Sequence, residues 1–142
     1  MDAISQFNIK AKVGLLRFQE MQIYTDENDP KRLGDFMYKY TDKFSKEKMG
    51  DYFSDEPPFN GEVLKAYVSH FNFEGMAMPD ALRYFFTFVE TPGEGQKIER
   101  LCYKFAYKYI EDNPEVMSGD AACVFAYLMV MCHSTLYNPA VE

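Results

Sequence analysis

The chain has no tryptophan, two histidines and three cysteines among its 142 residues, and these shortages exclude several classes of protein. No pair of cysteines has C-x-x-C spacing, so neither a zinc site nor a disulfide framework is indicated. Cys102, Cys123 and Cys132 each lie in an apolar stretch, and we expect buried, reduced thiols. Neither histidine lies in a pattern typical of hydrolases, so a catalytic triad is not indicated either.

Basic residues are also scarce, with 15 Lys and Arg against 22 Asp and Glu, which gives a net charge of −7. Proteins that grip phosphate backbones or anionic membranes need dense Lys/Arg clusters, so we expect no nucleic-acid partner and no broad membrane-binding face. The longest apolar run, residues 121–132, is too short for the roughly 20 residues that span a bilayer. The charged N-terminus lacks a signal-peptide core, and we therefore expect a cytoplasmic protein.

Apolar residues recur with a helical period along nearly the whole chain. Asp29-Pro30 is typical of a helix start, and Ser45 and Asn60 are expected to cap two later helices. No segment alternates as a strand does. A hydrophobic content of 47% suits one compact core. The sequence therefore predicts a single all-α domain of about seven helices over residues 1–142.

Two of the predicted helices differ in pattern. The first runs from Glu94 to Asn113-Pro114 and is amphipathic, with its apolar residues at helical spacing: Ile98, Leu101, Cys102, Phe105, Ala106, Tyr109 and Ile110. The second begins near Gly119 and is apolar nearly all round. Such a helix is either central to the core or meets a partner with its second face.

The turn TPGEGQKIER, residues 91–100, raises the main functional question. A phosphate loop is excluded, because Gln96 precedes the lysine and Ile98 replaces the required hydroxyl. Glu94 is suited to an ordinary structural role, since an acid at a helix start is stabilised by ~0.3–1 kcal/mol. Residue chemistry alone leaves two roles open for Glu94. It is either a structural acid within a solvated charged face or a functional group.

Residues 92–100, PGEGQKIER, are similar to the P-G-E-A-Q-K-I-D-R signature of the Sec-seven domain, the exchange-factor module for Arf GTPases. Further matches follow in the family's order at residues 7–8, 14, 50–52, 59–66, 81–85, 113–114 and 136–139. The chain is identified as a member of that family over nearly its whole length. The resemblance implies an all-α right-handed superhelix with a hydrophobic groove.

The resemblance also implies a set of functional residues. Glu94 matches the catalytic glutamate, which would enter the nucleotide site of the GTPase and repel the GDP β-phosphate. Residues of the same turn and of the last helix match partner-contacting positions: Gly93, Gln96, Lys97, Glu99, Arg100, Cys123, Tyr127, Val130, Met131 and Asn138. Lys97, Glu99 and Arg100 are expected to orient the turn through local pairing or to touch the partner directly.

The implied partner is an Arf-family small GTPase, which itself holds GDP or GTP and magnesium. We therefore expect no cofactor or metal in this chain, and an exchange factor that performs no covalent chemistry. We also expect a monomer that is recruited to membranes only peripherally, through its partner or other domains.

Several positions depart from the family pattern. Val89-Glu90-Thr91 stands where the family has F-R-L, and Gly95 replaces an alanine, which should loosen the helix start by up to ~1 kcal/mol. In a second family signature, M-L-N-T-x-L-H-N-P, which corresponds to residues 131–139, His133 replaces the asparagine and Tyr137 replaces the histidine. The family domain continues for several helices, so we expect this domain to lack its C-terminal part. A degenerate module that binds a partner without exchange, or a purely structural scaffold, are the alternatives.

Overall fold

The structure is a computed structural model that describes residues 2–26 and 29–132. Over these ranges the chain forms eight α-helices and one 3-10 turn, Thr41–Lys43, with no strand. The helices are α1 Ala3–Ile9, α2 Ala11–Glu20, α3 Pro30–Lys39, α4 Lys46–Phe53, α5 Pro58–Val68, α6 Met78–Phe85, α7 Gly95–Asp112 and α8 Gly119–Cys132. The all-α prediction is confirmed. None of these helices is both long and apolar enough to span a bilayer.

Two of the three predicted helix starts lie where the sequence placed them, and the third does not. Asp29 is the N-cap of α3, with Pro30 in its first turn, and the Ser45 hydroxyl accepts a hydrogen bond from the Lys48 N–H at 3.2 Å. The predicted cap at Asn60 is wrong. α5 already begins at Pro58, since proline suits the first helical position, and buried Asn60 instead donates to the Tyr52 carbonyl at 2.8 Å.

The core of the first six helices is aromatic. Phe7 and Phe71 are both buried, and each makes edge-to-face ring contacts, with centroids 5.2 Å apart for Phe7 and Phe44 and 5.0 Å apart for Phe71 and Phe88. Such pairs add ~0.5–1.5 kcal/mol to the gain from burying their area. These contacts tie the short helices into one body that supports α7.

α7 is held by its buried apolar stripe and by hydrogen bonds at its C-terminus. Its predicted apolar stripe is buried from Ile98 to Tyr109, and the ring centroid of Phe105 lies 5.1 Å from that of Phe73. At the C-terminus the buried Asn113 side chain donates to the Phe73 carbonyl at 3.0 Å and accepts from the Gly75 N–H at 2.8 Å. These bonds hold the end of α7 against the segment before α6.

Candidate functional site

The segment that leads into the predicted active turn lies across α4. Val89 and Thr91 are buried, and the Glu90 N–H donates to the Lys46 carbonyl at 3.1 Å. A Cβ added at Gly50 would collide with the Glu90 carbonyl oxygen. Gly50 therefore permits the close approach of the two backbones, which accounts for the glycine that begins the family match at residues 50–52.

Glu94 is the N-cap of α7 and is exposed. Its backbone is extended, with φ −88° and ψ 132°, and its carbonyl accepts the Ile98 N–H at 3.0 Å. Within the described part of the chain, its carboxylate neither caps the helix nor pairs with a cation. The sequence placed Glu94 in the first helical turn, but α7 begins one residue later, at Gly95. The carboxylate stands in solvent beside the positive end of the helix dipole.

The residues after Glu94 bind α4 rather than one another. The Lys97 ammonium lies 3.3 Å from the Asp51 carboxylate, and Arg100 Nη1 donates to the Ser54 carbonyl at 2.9 Å. The buried Ser54 hydroxyl in turn donates to the Gly50 carbonyl at 2.6 Å. Together with the Glu90 bond, these contacts attach the turn to α4 on both sides of Glu94. The sequence predicted local pairing within the turn, but Lys97 and Arg100 instead bind residues 46 positions earlier in the chain.

Three of the predicted partner residues line a cleft of about 770 Å³ on the α5 side of α7. Gln96, Glu99 and Arg100 form one wall together with half-exposed Tyr103, while residues 53–62 contribute to the other. A Lys104–Glu62 ion pair of 3.2 Å joins α7 to α5 there. Exposed pairs of this kind contribute only ~0–1 kcal/mol, so the walls of the cleft are held mainly by the packed core.

α8 presents different surfaces around its circumference. The side chains of Ala122, Ala126 and Val130 are fully buried, whereas Cys123 and Tyr127 are half-buried. The large apolar residues are exposed: Val124 by 60%, Phe125 by 49%, Leu128 by 53% and Met131 by 45%. We call these four residues the outer face of α8. Cys123, Tyr127 and Met131 keep accessible surface, and their places in a partner-binding groove stay predictions.

Val130 does not lie where the resemblance suggested. It follows Ala126 by four residues and Ala122 by eight, and this spacing places all three on the same side of the helix. That side packs against the core, so Val130 has no exposed surface. The expectation of an accessible Val130 in the groove is therefore corrected.

Two tyrosines that the sequence analysis missed join α7 to α8. Tyr103 and Tyr107 are 50% and 41% exposed, with ring centroids 4.8 Å apart. The Tyr107 ring lies against Gly119, and its hydroxyl donates to the Asp120 carboxylate at 2.9 Å, which raises the pKa of Tyr107 to about 12. The sequence feature that could have revealed Tyr103 and Tyr107 is their spacing. They lie four residues apart and outside the apolar stripe of α7, where a solvated helix normally carries polar residues.

The three cysteines are free thiols in different surroundings. Burial raises the pKa of Cys102 to about 12, which leaves a thiol that is not suited to act as a nucleophile. Cys123 is half-buried, and its sulfur lies 4.0 Å from the Tyr103 carbonyl oxygen. The expected burial is wrong for Cys132, which is exposed at the end of α8. No group of three or more potential metal ligands occurs in residues 2–26 and 29–132.

The remaining predicted positions differ in what the structure says of them. Gly93 is exposed, and a Cβ added there would meet no atom within 4 Å, so packing within the chain does not require this glycine. Asn138, His133 and Tyr137 lie outside the described residues, and their predicted effects on partner binding stay predictions.

The exposed Glu94, which has no partner in residues 2–26 and 29–132, and the exposed apolar residues of α8 are features that the family resemblance implied, and comparison with known proteins identifies the family. The sequence profile of the Sec7 domain matches residues 1–142. The chain belongs to the Sec7 domain family. It is 31% identical over 140 residues to the "ADP-ribosylation factor guanine nucleotide-exchange factor sec72" of Schizosaccharomyces pombe, a match that covers 98% of this chain and 8% of that protein.

Two further comparisons agree. The human "Brefeldin A-inhibited guanine nucleotide-exchange protein 1" is 34% identical over 142 residues, which cover 98% of this chain and 8% of that protein. The solved structure of ARF1-GDP bound to a Sec7 domain with brefeldin A superposes with a TM-score of 0.82 at 27% identity, and it covers 99% of this chain and 70% of that one. The chain therefore has the fold of Sec7 domains and spans about a twelfth of the length of these two curated relatives.

Proposed function

We propose that this domain is a guanine-nucleotide exchange factor for an Arf-family small GTPase, and that Glu94 is the group that acts at the nucleotide site. The carrying observation is the exposed carboxylate at the N-cap of α7, which has no partner among the described residues. Both relatives named above are guanine nucleotide-exchange proteins, one of them for an ADP-ribosylation factor, and one solved neighbour is a Sec7 domain bound to ARF1-GDP. Both support the proposal.

The proposed action of Glu94 is electrostatic. A carboxylate brought to ~4 Å from a phosphate oxygen, at an effective dielectric constant of ~20, raises the energy of bound GDP by ~4 kcal/mol. Because each ~1.36 kcal/mol changes a rate tenfold, this repulsion is large enough to speed GDP release about a thousandfold. A glutamate already bonded to a lysine or to the helix start would first have to lose that bond, and Glu94 makes neither bond among the described residues.

The neighbouring apolar surface supplies the proposed contact with the GTPase. Tyr103 and Tyr107 on α7 and the outer face of α8 expose large apolar side chains next to half-buried Tyr127. A standard interface buries ~800 Å² on each partner, and aromatic residues are enriched at its centre. Apolar switch residues of the GTPase would bind here, while GDP and magnesium belong to the GTPase and not to this chain.

The sharpest test reverses the charge at the active turn. We expect Glu94→Lys to bind the GTPase but to leave GDP release at its intrinsic rate, because the repulsive charge is replaced by one that attracts phosphate. Release of a fluorescent GDP analogue from an Arf-family GTPase measures the rate, and a pull-down with the GDP-bound protein measures binding. Glu111→Lys is the matched control. It makes the same charge change at an exposed position of α7, about 26 Å from Glu94 along the helix.

The possible results separate the alternatives. Unchanged acceleration by Glu94→Lys would refute the role of Glu94. Binding by the wild-type chain without any acceleration would indicate the partner-binding module, and no binding at all would indicate a structural scaffold. A loss of exchange in Glu111→Lys as large as that in Glu94→Lys would mean that net charge, and not a positioned carboxylate, controls the reaction.

A further inference from the structure

The residue directly after Glu94 lies against α8. A Cβ added at Gly95 would be 3.3 Å from the Tyr127 hydroxyl oxygen, which is closer than an ordinary van der Waals contact. Apart from the adjoining backbone, that oxygen is the one atom of the described residues that such a Cβ would meet within 4 Å. Gly95 thus leaves the space that the Tyr127 hydroxyl occupies.

Tyr127 is suited to hold this position. It is half-buried, and it follows Ala126, which is fully buried in the contact between α8 and the core. One helical turn earlier, the Cys123 sulfur lies 4.0 Å from the Tyr103 carbonyl oxygen of α7. The base of the Tyr127 side chain is therefore fixed, and its hydroxyl makes no hydrogen bond within residues 2–26 and 29–132. The hydroxyl oxygen lies 3.3 Å from the point that a Cβ at position 95 would occupy.

The choice of glycine at this position supports a specific contact. Alanine is the better helix former, so a sequence that only had to begin α7 would gain from alanine here. The departure from the family's alanine therefore has a second explanation besides a looser helix start. Glycine admits the tyrosine hydroxyl to the first turn of α7.

We propose that Tyr127 is a positioning residue for Glu94, acting through Gly95, and the inference rests on the proposed function. α4 attaches the turn through Glu90, Lys97 and Arg100, and the Tyr127 hydroxyl limits its approach to α8 from the other side. Glu94 leaves the backbone between these two supports. A side chain at position 95 would displace the turn or the tyrosine by a few tenths of an ångström or more.

The expected effect is moderate. Moving the Glu94 carboxylate from ~4 to ~4.5 Å from a phosphate lowers their repulsion by about a tenth, which corresponds to about a twofold loss in rate. We therefore expect Gly95→Ala to lower kcat for GDP release by about twofold, with little change in KM. Removal of the hydroxyl makes room for the new methyl group, so Gly95→Ala with Tyr127→Phe should recover the kcat of Tyr127→Phe alone.

The test compares the wild type, both single variants and the double variant in GDP release and in thermal melting. Tyr40→Phe is the control, because it removes a tyrosine hydroxyl at the end of α3, where Tyr40 packs against Phe36 with ring centroids 5.0 Å apart. Wild-type kcat in Gly95→Ala, or a double variant no faster than Gly95→Ala, would overturn the positioning role. A purely structural defect would instead lower the melting temperature of Gly95→Ala without rescue by the second change.

A second readout does not depend on activity. In ¹⁵N-resolved NMR spectra, we expect Tyr127→Phe to shift the amide resonances of Glu94 and Gly95, and Tyr40→Phe to leave both in place. Unmoved resonances in Tyr127→Phe would refute the contact. If Tyr127→Phe shifts these resonances but the wild-type chain does not accelerate GDP release, the proposed exchange function is refuted. The positioning of an active Glu94 would then fail with it.

Discussion

α7 and α8 pack against each other, yet they use their apolar residues in opposite ways. α7 buries the large residues of its apolar stripe, including Phe105 and Tyr109, and seven of its 18 residues are charged, although Tyr103 and Tyr107 stay half-exposed. α8 buries only Ala122, Ala126 and Val130 and exposes its large apolar residues. In α7 the apolar pattern specifies the fold. In α8 most of the apolar side chains do not pack into the core that this chain forms.

The difference indicates two kinds of selection on adjacent helices. Monomeric proteins rarely keep a large contiguous apolar patch in water unless it binds something. α8 has one charged residue, Asp120, in 14 positions, so solubility is not what its outer face provides. Small inward residues bring α8 close to α7, and large outward ones are left available for binding. Three substitutions test whether this division is real.

The largest effect is expected in α7. Phe105→Ala removes a fully buried ring that lies 5.1 Å from Phe73 and 5.8 Å from Phe85, and it leaves a cavity between them. We expect the free energy of unfolding to fall by ~3–5 kcal/mol. Urea denaturation followed by circular dichroism measures this loss. A loss below 1 kcal/mol would show that α7 is not the helix on which the core depends, and the contrast with α8 would disappear.

The contrast also explains what was predictable from the sequence. The stripe of α7 has a clear helical period, and the structure buries it from Ile98 to Tyr109 as expected. α8 has no such period, because its inward and outward residues are all apolar. Periodicity therefore could not distinguish buried Val130 from exposed Leu128, and the family resemblance alone placed Val130 in the groove.

The active turn was recognised from its signature, but its supports were not. Lys97 and Arg100 contact Asp51 and Ser54, which lie 46 residues earlier in the chain. No local pattern encodes contacts at such a separation. The contact between Gly95 and Tyr127 was likewise hidden, because a glycine at a helix start is usually explained by the local backbone alone. Tertiary packing had to be seen before either could be assigned.

An intermediate effect is expected on the inward side of α8. Ala126 is fully buried where α8 meets the core, and Ala126→Leu adds three carbon atoms to a site filled by a methyl group. Overpacking of this kind costs ~1–3 kcal/mol, so the melting temperature should fall by several degrees. Differential scanning calorimetry measures the change. A stabilised Ala126→Leu variant would mean that the seam has spare volume and that close packing does not explain the small residues.

The smallest effect on stability, with a clear effect on binding, is expected on the outer face. Leu128 is 53% exposed, so Leu128→Ser should change the free energy of unfolding by no more than ~0.5 kcal/mol. If the GTPase buries this side chain, its loss removes ~1.5 kcal/mol or more of apolar contact, which is about a tenfold weaker Kd. Isothermal titration calorimetry with the GDP-bound GTPase measures that affinity.

The matched control for this substitution is Leu16→Ser on α2, where the leucine is 60% exposed. The chemical change and the exposure are similar, and both variants should melt within about a degree or two of the wild type. Only Leu128→Ser should lose affinity, because only Leu128 belongs to the outer face beside the active turn. Equal affinities for the two variants would show that this face of α8 does not contact the GTPase. The exposed apolar residues of α8 would then need a different partner, since the core of the described chain leaves them in water.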